Sequence, residues 1–138
     1  MDSFPLVLCQ SVRNYRARIF EGLADIGYNA TKHLWFYSFK VHMLVTLSGS
    51  ILNDVVTSAS VPDIKVVDDL LEGCQQSVIL ADLGYLSQEL KDSLERRGYH
   101  LWTPLRQNME GTSQYNNWRL LAMRRTVETR FSELCTSV

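Results

Sequence analysis

The chain lacks any long uninterrupted apolar run, so a membrane-spanning helix, which needs about 20 such residues, is not expected. Segment 1–9 has no basic stretch followed by a long apolar one, which argues against a secretory leader. Its three cysteines, Cys9, Cys74 and Cys135, are odd in number and far apart. That excludes a disulfide framework and close-paired metal ligands, and points to a reducing, cytoplasmic setting. Charge of one sign is not in excess: 14 basic residues face 15 acidic ones, for a net charge of −1. No global positive field exists to drive non-specific nucleic-acid binding, so DNA contacts would have to be local. With three prolines, no repeat and no low-complexity tract, nothing divides the 138 residues into separate domains.

What is present is a globular composition, 46% hydrophobic and 21% charged, long enough for one domain with a real core. The most informative stretch is VILADLGYL, residues 78–86. Four apolar residues run into Asp82, and a turn through Gly84 and Tyr85 follows. A short apolar run bounded by turn residues predicts a strand buried on both faces. A carboxylate at its end must reach solvent, find a partner or bind a ligand, because burying it unpaired costs several kcal/mol or more. In open α/β sheets that strand end is where ligands bind.

Phe4 to Cys9 predicts a strand, with Pro5 placing it at an edge. Residues 10–32 are irregular and carry Arg13, Arg16 and Arg18 interleaved with Tyr15, a solvated loop or a phosphate-contacting patch. Trp35 to Leu47 and Ile51 to Val56 predict an antiparallel hairpin about Ser48-Gly49-Ser50, with Lys40 and His42 together on its solvated face. Ile64, Val67, Leu70 and Leu71 recur at helical spacing after Pro62 and predict a crossover helix ending at Gly73. Ser87 caps a second helix whose stripe is Leu86, Leu90 and Leu94, with Gly98 past its end. A strand over Tyr99 to Leu105, a polar turn over 107–117 and an amphipathic helix over Trp118 to Leu134 complete the chain. That last helix has Leu120, Met123, Val127, Phe131 and Leu134 as its buried stripe. The order implies an α/β domain: a mixed sheet with an antiparallel hairpin start, βα crossovers and flanking helices.

Asp2 heads the first strand, and Glu128 lies about 100° of helical rotation from Val127, at the border of the buried stripe. Arg124 precedes it by four residues, the spacing of a helical ion pair. Asp2, Asp82 and Glu128 could converge at one end of a sheet, and oxygen ligands of this kind suit Mg²⁺.

Five segments carry a resemblance: DSFPLVLC at 2–9, GYNATKHLWFYSFKVHMLVT at 27–46, VILADLGYLSQEL at 78–90, LWTPLRQNM at 101–109 and RRTVETRFSEL at 124–134. In this order they resemble the DDE catalytic domain of insertion-sequence transposases, most closely the insertion sequence 982 group. The resemblance implies a ribonuclease-H-like fold, with Asp2, Asp82 and Glu128 as catalytic carboxylates holding two Mg²⁺ or Mn²⁺ ions. It further implies metal-dependent cutting of DNA at transposon ends and joining to target DNA. Of the related Tyr-Arg-Glu-Lys signature, Arg124 and Glu128 match, while Leu121 and Cys135 stand where Tyr and Lys would. Candidate DNA contacts are Arg13, Arg16, Arg18, Lys40 and Arg124. Compared with that family, 1–138 reads as a single catalytic domain truncated at both ends, without the N-terminal DNA-binding segment. It is expected to bind metal weakly and not to transpose alone. The expected partners are DNA and either a second copy or a full-length transposase, with no membrane. The alternative is an inactive remnant that at most binds DNA or a transposase.

Overall fold

The computed structural model describes residues 1–9, 11–16, 18–29 and 33–136. Among the described residues six strands form two sheets. β1 (Asp2–Val7), β2 (Asp25–Asn29), β3 (Leu34–Val45) and β4 (Ile51–Ser58) make an antiparallel sheet built around β3. β5 (Val78–Leu80) and β6 (His100–Trp102) make a separate parallel pair. The protein is thus a mixed α/β structure with antiparallel and parallel sheets, where the sequence predicted one continuous mixed sheet.

β3 is long because aromatic and β-branched residues fill it. It pairs with β4 from Phe39↔Ser58 to Val45↔Ile51, with an irregularity between Leu44 and Val45. The expected turn closes the hairpin: Gly49 adopts φ 90°, and Thr46 N–H donates to Ser50 O at 2.8 Å. β1 runs antiparallel to β3 from Asp2↔Met43 to Val7↔Ser38. β2 takes the remaining length of β3, from Asp25↔Ser38 to Asn29↔Leu34. It falls where the sequence predicted irregular chain, part of which lies outside the described residues.

The predicted crossover helix is shorter than its spacing suggested: a 3₁₀ turn, Asp63–Val66, runs into the single turn α1 (Val67–Leu70). α2 (Gln88–Arg96) is capped as expected, with Ser87 Oγ accepting from Leu90 N–H at 3.2 Å. The polar connection contains one helical turn, α3 (Thr112–Tyr115), and α4 (Trp118–Thr136) ends the fold. The Asn116 side chain ties that connection down, accepting from Leu105 N–H at 2.8 Å and donating to Leu105 O at 2.9 Å. No helix among the described residues is long and apolar enough to cross a membrane.

Two apolar clusters hold these parts together. The larger joins Met1 and Leu44 of the antiparallel sheet to Val67, Leu70 and Leu71 around α1, Ile79 and Ala81 at β5, Tyr85, Leu94 of α2 and Leu101 of β6. The smaller packs Val127 and Phe131 of α4 on Met43, with Phe4, Val41 and Val45 alongside. Only Val127 and Phe131 of the predicted α4 stripe are buried; Met123 and Leu134 are exposed. Val78 is also exposed, so β5 is not covered on both faces.

Candidate active site

The start of β1 and the end of β5 meet. The Met1 amino group donates to Leu80 O, which sets Asp2 beside the segment that leads through Ala81 to Asp82. Ala81 N–H donates to Trp102 O at 2.9 Å, prolonging the β5–β6 ladder up to Asp82. Asp82 then takes an extended conformation and opens a 3₁₀ turn, Leu83–Tyr85, without its side chain capping that turn. Its carboxylate is therefore free to point elsewhere.

α4 supplies the partner. Arg124 Nη1 lies 3.3 Å from Asp2 Oδ2 and 3.3 Å from Asp82 Oδ1, while Nη2 lies 2.9 Å from Glu128 Oε1. One guanidinium thus reaches all three carboxylates that the sequence singles out. The two aspartate oxygens share one nitrogen, so they cannot be farther apart than twice that 3.3 Å. The helical pair with Glu128 follows from spacing; the contacts with Asp2 and Asp82 depend on how α4 docks and were not foreseen. Arg124 Nε is buried without a hydrogen-bond partner, so this arrangement leaves one donor unsatisfied.

The carboxylates differ in environment. Asp2 is buried, and its pKa is pushed up to about 6, first by desolvation and then by the charge of Asp82. A hydrogen bond from Ser3 N–H to its Oδ1, at 2.8 Å, and the Arg124 charge oppose that rise. The neighbouring Met1 amine is pushed down to about 6, chiefly by burial. The Asp82 and Glu128 side chains are partly exposed, at 41% and 47%.

Beneath the pair lies a polar network that the sequence did not reveal. Lys40 was expected on a solvated face, yet its ammonium donates to Asp63 Oδ1 at 3.0 Å and to Val61 O at 2.9 Å. His42, expected beside it in solvent, is fully buried, with Nε2 3.0 Å from Thr57 Oγ1 and Nδ1 3.4 Å from the Tyr85 hydroxyl. Burial lowers the His42 pKa, and burial raises that of Tyr85. A neutral imidazole accepting from a protonated phenol suits that pair. The sequence signal nearest to this network is Pro62-Asp63, which by itself marks only a helix start.

Arg13 and Arg16 lie on a 3₁₀ turn, Ser11–Arg16, and with Arg18 are exposed. That turn packs against β3 and follows the Val7 end of β1, five strand steps, roughly 16 Å, from Asp2. Among the described residues none of these arginines pairs with Asp2, Asp82 or Glu128, all three of which pair with Arg124.

Three carboxylates facing one cationic group have the donor chemistry of a Mg²⁺ or Mn²⁺ site. Arg124 stands among them, and among the described residues no group of three or more His, Cys, Asp or Glu side chains is placed to hold a metal ion. No curated protein and no solved structure matches the chain. A family model does, described as a transposase DDE domain, and it spans residues 1–138. With that match covering the same length that carries the converging carboxylates, the chain belongs to the transposase DDE domain family.

Proposed function

We propose that this chain is the catalytic domain of a transposase that cuts DNA at insertion-sequence ends and joins it to target DNA, with Asp2, Asp82 and Glu128 as ligands for divalent cations and with no transposition expected of the chain alone. Family membership implies transposition, and such domains generally bind DNA and depend on a divalent metal. The observation that carries the site is the meeting of the three carboxylates at Arg124. The five matched segments support the insertion sequence 982 group. Antiparallel strands followed by parallel βα units, with aspartates at the adjoining ends of β1 and β5, support a ribonuclease-H-like reading of the fold.

Two divalent ions, when bound, supply positive charge at the attacking and leaving oxygens of an in-line phosphoryl displacement. The chain's own part is to hold oxygen ligands in place. β1 fixes Asp2, the uncapped turn after β5 aims Asp82, and α4 brings Glu128 from the other side. None of the three acts as a covalent nucleophile. Arg124 neutralises them in this structure, and with a cation held by the three carboxylates its guanidinium would be available for a DNA phosphate.

Titration with Mn²⁺ followed by electron paramagnetic resonance tests the ligands. The expected result is weak saturable binding that Asp82→Asn and Glu128→Gln each abolish; binding indifferent to both would overturn the site. Incubation with duplex carrying the terminal repeats that flank its reading frame tests the chemistry. Cutting that Asp82→Asn abolishes supports the transposase, and metal binding with no cutting supports the inactive remnant.

A further inference from the structure

We propose that Asp63 is a positioning residue that sets the separation of Asp2 and Asp82. The proposal rests on the metal-binding reading of those two carboxylates. Asp63 opens the 3₁₀ turn before α1, and its carboxylate sits where three other elements meet. Its Oδ2 accepts from Ser3 Oγ at 3.1 Å, and Ser3 is the neighbour of Asp2 in β1. Oδ1 accepts from Lys40 Nζ at 3.0 Å, which fixes it to β3. On the remaining side lies the backbone of Gly84, two residues beyond Asp82, and a Cβ at that position would overlap Asp63 Oδ2.

Asp63 therefore touches the chain next to each carboxylate without touching either. Its side chain is 17% exposed, so water does not readily replace these bonds. Lys40 neutralises it and is itself held by Val61 O, so Asp63 is committed to the brace and is not a fourth ligand. His42 Nδ1 lies 3.8 Å from Asp63 Oδ1, packed beside the brace without a hydrogen bond to it, and 3.4 Å from the Tyr85 hydroxyl, at the far end of the turn that Asp82 opens. The glycine in VILADLGYL has a physical reason on this account: the carboxylate of Asp63 occupies the space a side chain would need. Any movement of Asp63 shifts Ser3 and Gly84 together, and with them the two aspartates.

Two substitutions disturb the brace in different ways. Asp63→Asn removes its charge; Gly84→Ala leaves every charge in place and displaces the carboxylate sterically. Gly84 has a negative φ, so alanine brings no backbone strain of its own. Mn²⁺ affinity and thermal unfolding are measured on the 138-residue chain, on both variants, on their double variant and on Gly27→Ala, a destabilising control in β2. Each single variant is expected to weaken Mn²⁺ binding about tenfold, the usual range for groups that orient ligands. The double variant should lose no more than the worse single one, because both act on one contact. Gly27→Ala should lower stability while its folded chain keeps affinity within about twofold, since it touches none of these groups. Unchanged affinity in the singles, additive losses, or a loss in Gly27→Ala of the same size would overturn the positioning role. If the unsubstituted chain shows no Asp82-dependent Mn²⁺ binding, the metal reading itself falls and this role with it. Asp82-dependent binding indifferent to positions 63 and 84 removes the positioning role alone.

Discussion

Asp2 carries a proton at pH values where an ordinary aspartate has lost it, and folding is coupled to that proton. Its folded pKa is about 6, against 3.8 for the unperturbed group. Between about pH 4 and pH 6 the native chain binds the proton and the unfolded chain does not, so this residue makes stability fall as pH rises. The Met1 amine acts in the opposite sense. Its folded pKa is about 6 against 8.0, so between those values the unfolded chain holds more protons and stability rises with pH. Asp2→Asn keeps the oxygen that accepts from Ser3 N–H and removes the titration. Relative to the unsubstituted chain it should gain stability from about pH 4 to about pH 6, by about 3 kcal/mol at most, and no further above that. Urea unfolding with a chelator present measures this, and a difference independent of pH would refute the burial argument. The three carboxylates could be singled out in the sequence because each has a recognisable place on an element: Asp2 at the head of β1, Asp82 just past β5 and Glu128 beside the buried stripe of α4. Lys40 and His42 were not: β3 buries Phe36, Tyr37 and Ser38 in succession, so both its faces are covered and alternation cannot tell core from solvent.

At the scale of elements, α2 was readable because its signals are local, a serine cap at one end and Gly98 at the other. β2 was unreadable because Asp25, Gly27 and Asn29 have poor strand propensity. It is a strand because β3 extends past the ends of β1 and β4, leaving an edge that this segment fills. Gly27 shows how closely it does so: a Cβ there would stand 2.8 Å from Ala59 Cβ and 3.6 Å from the Phe36 ring. Two effects of Gly27→Ala compete. Lower entropy of the unfolded chain favours alanine by about 0.4–1 kcal/mol, since φ here is negative. Overpacking against Ala59 costs about 1–3 kcal/mol, so net destabilisation is expected as a lower urea midpoint. A raised midpoint would show that β2 and the chain after β4 separate cheaply. The parallel pair and α1 were foreseen in kind but not in length, because the ends of short elements are set by packing against the larger cluster and not by their own residues.

For the whole molecule, the division of the core decides how the site holds together. Asp2 and Asp82 are fixed by the larger cluster, which binds the two sheets and α1 into one body. Glu128 and Arg124 ride on α4, whose buried apolar anchors among the described residues are Val127 and Phe131, packed on Met43 with Phe4, Val41 and Val45 alongside and the Phe131 ring 4.5 Å from that of Phe4, while Arg124 adds ion pairs to Asp2 and Asp82. Few buried contacts make an element the first to open, so α4 should exchange its amides by local opening while β3 and β4 exchange only on global unfolding. On the proposed metal-binding reading, opening of α4 would take Glu128 and Arg124 away from Asp2 and Asp82. Phe131→Ala removes one of the two buried apolar anchors of α4, at a cost of about 3 kcal/mol. Hydrogen exchange should then quicken across α4 and stay unchanged in β3. Saturating Mn²⁺ should restore protection to α4, because an ion shared by Glu128 with Asp2 and Asp82 binds the closed form alone. That rescue should vanish in the Phe131→Ala, Glu128→Gln double variant. Equal quickening in β3 would mean that α4 and the sheet are one cooperative unit, and rescue without Glu128 would mean that the cation does not bridge helix and sheet.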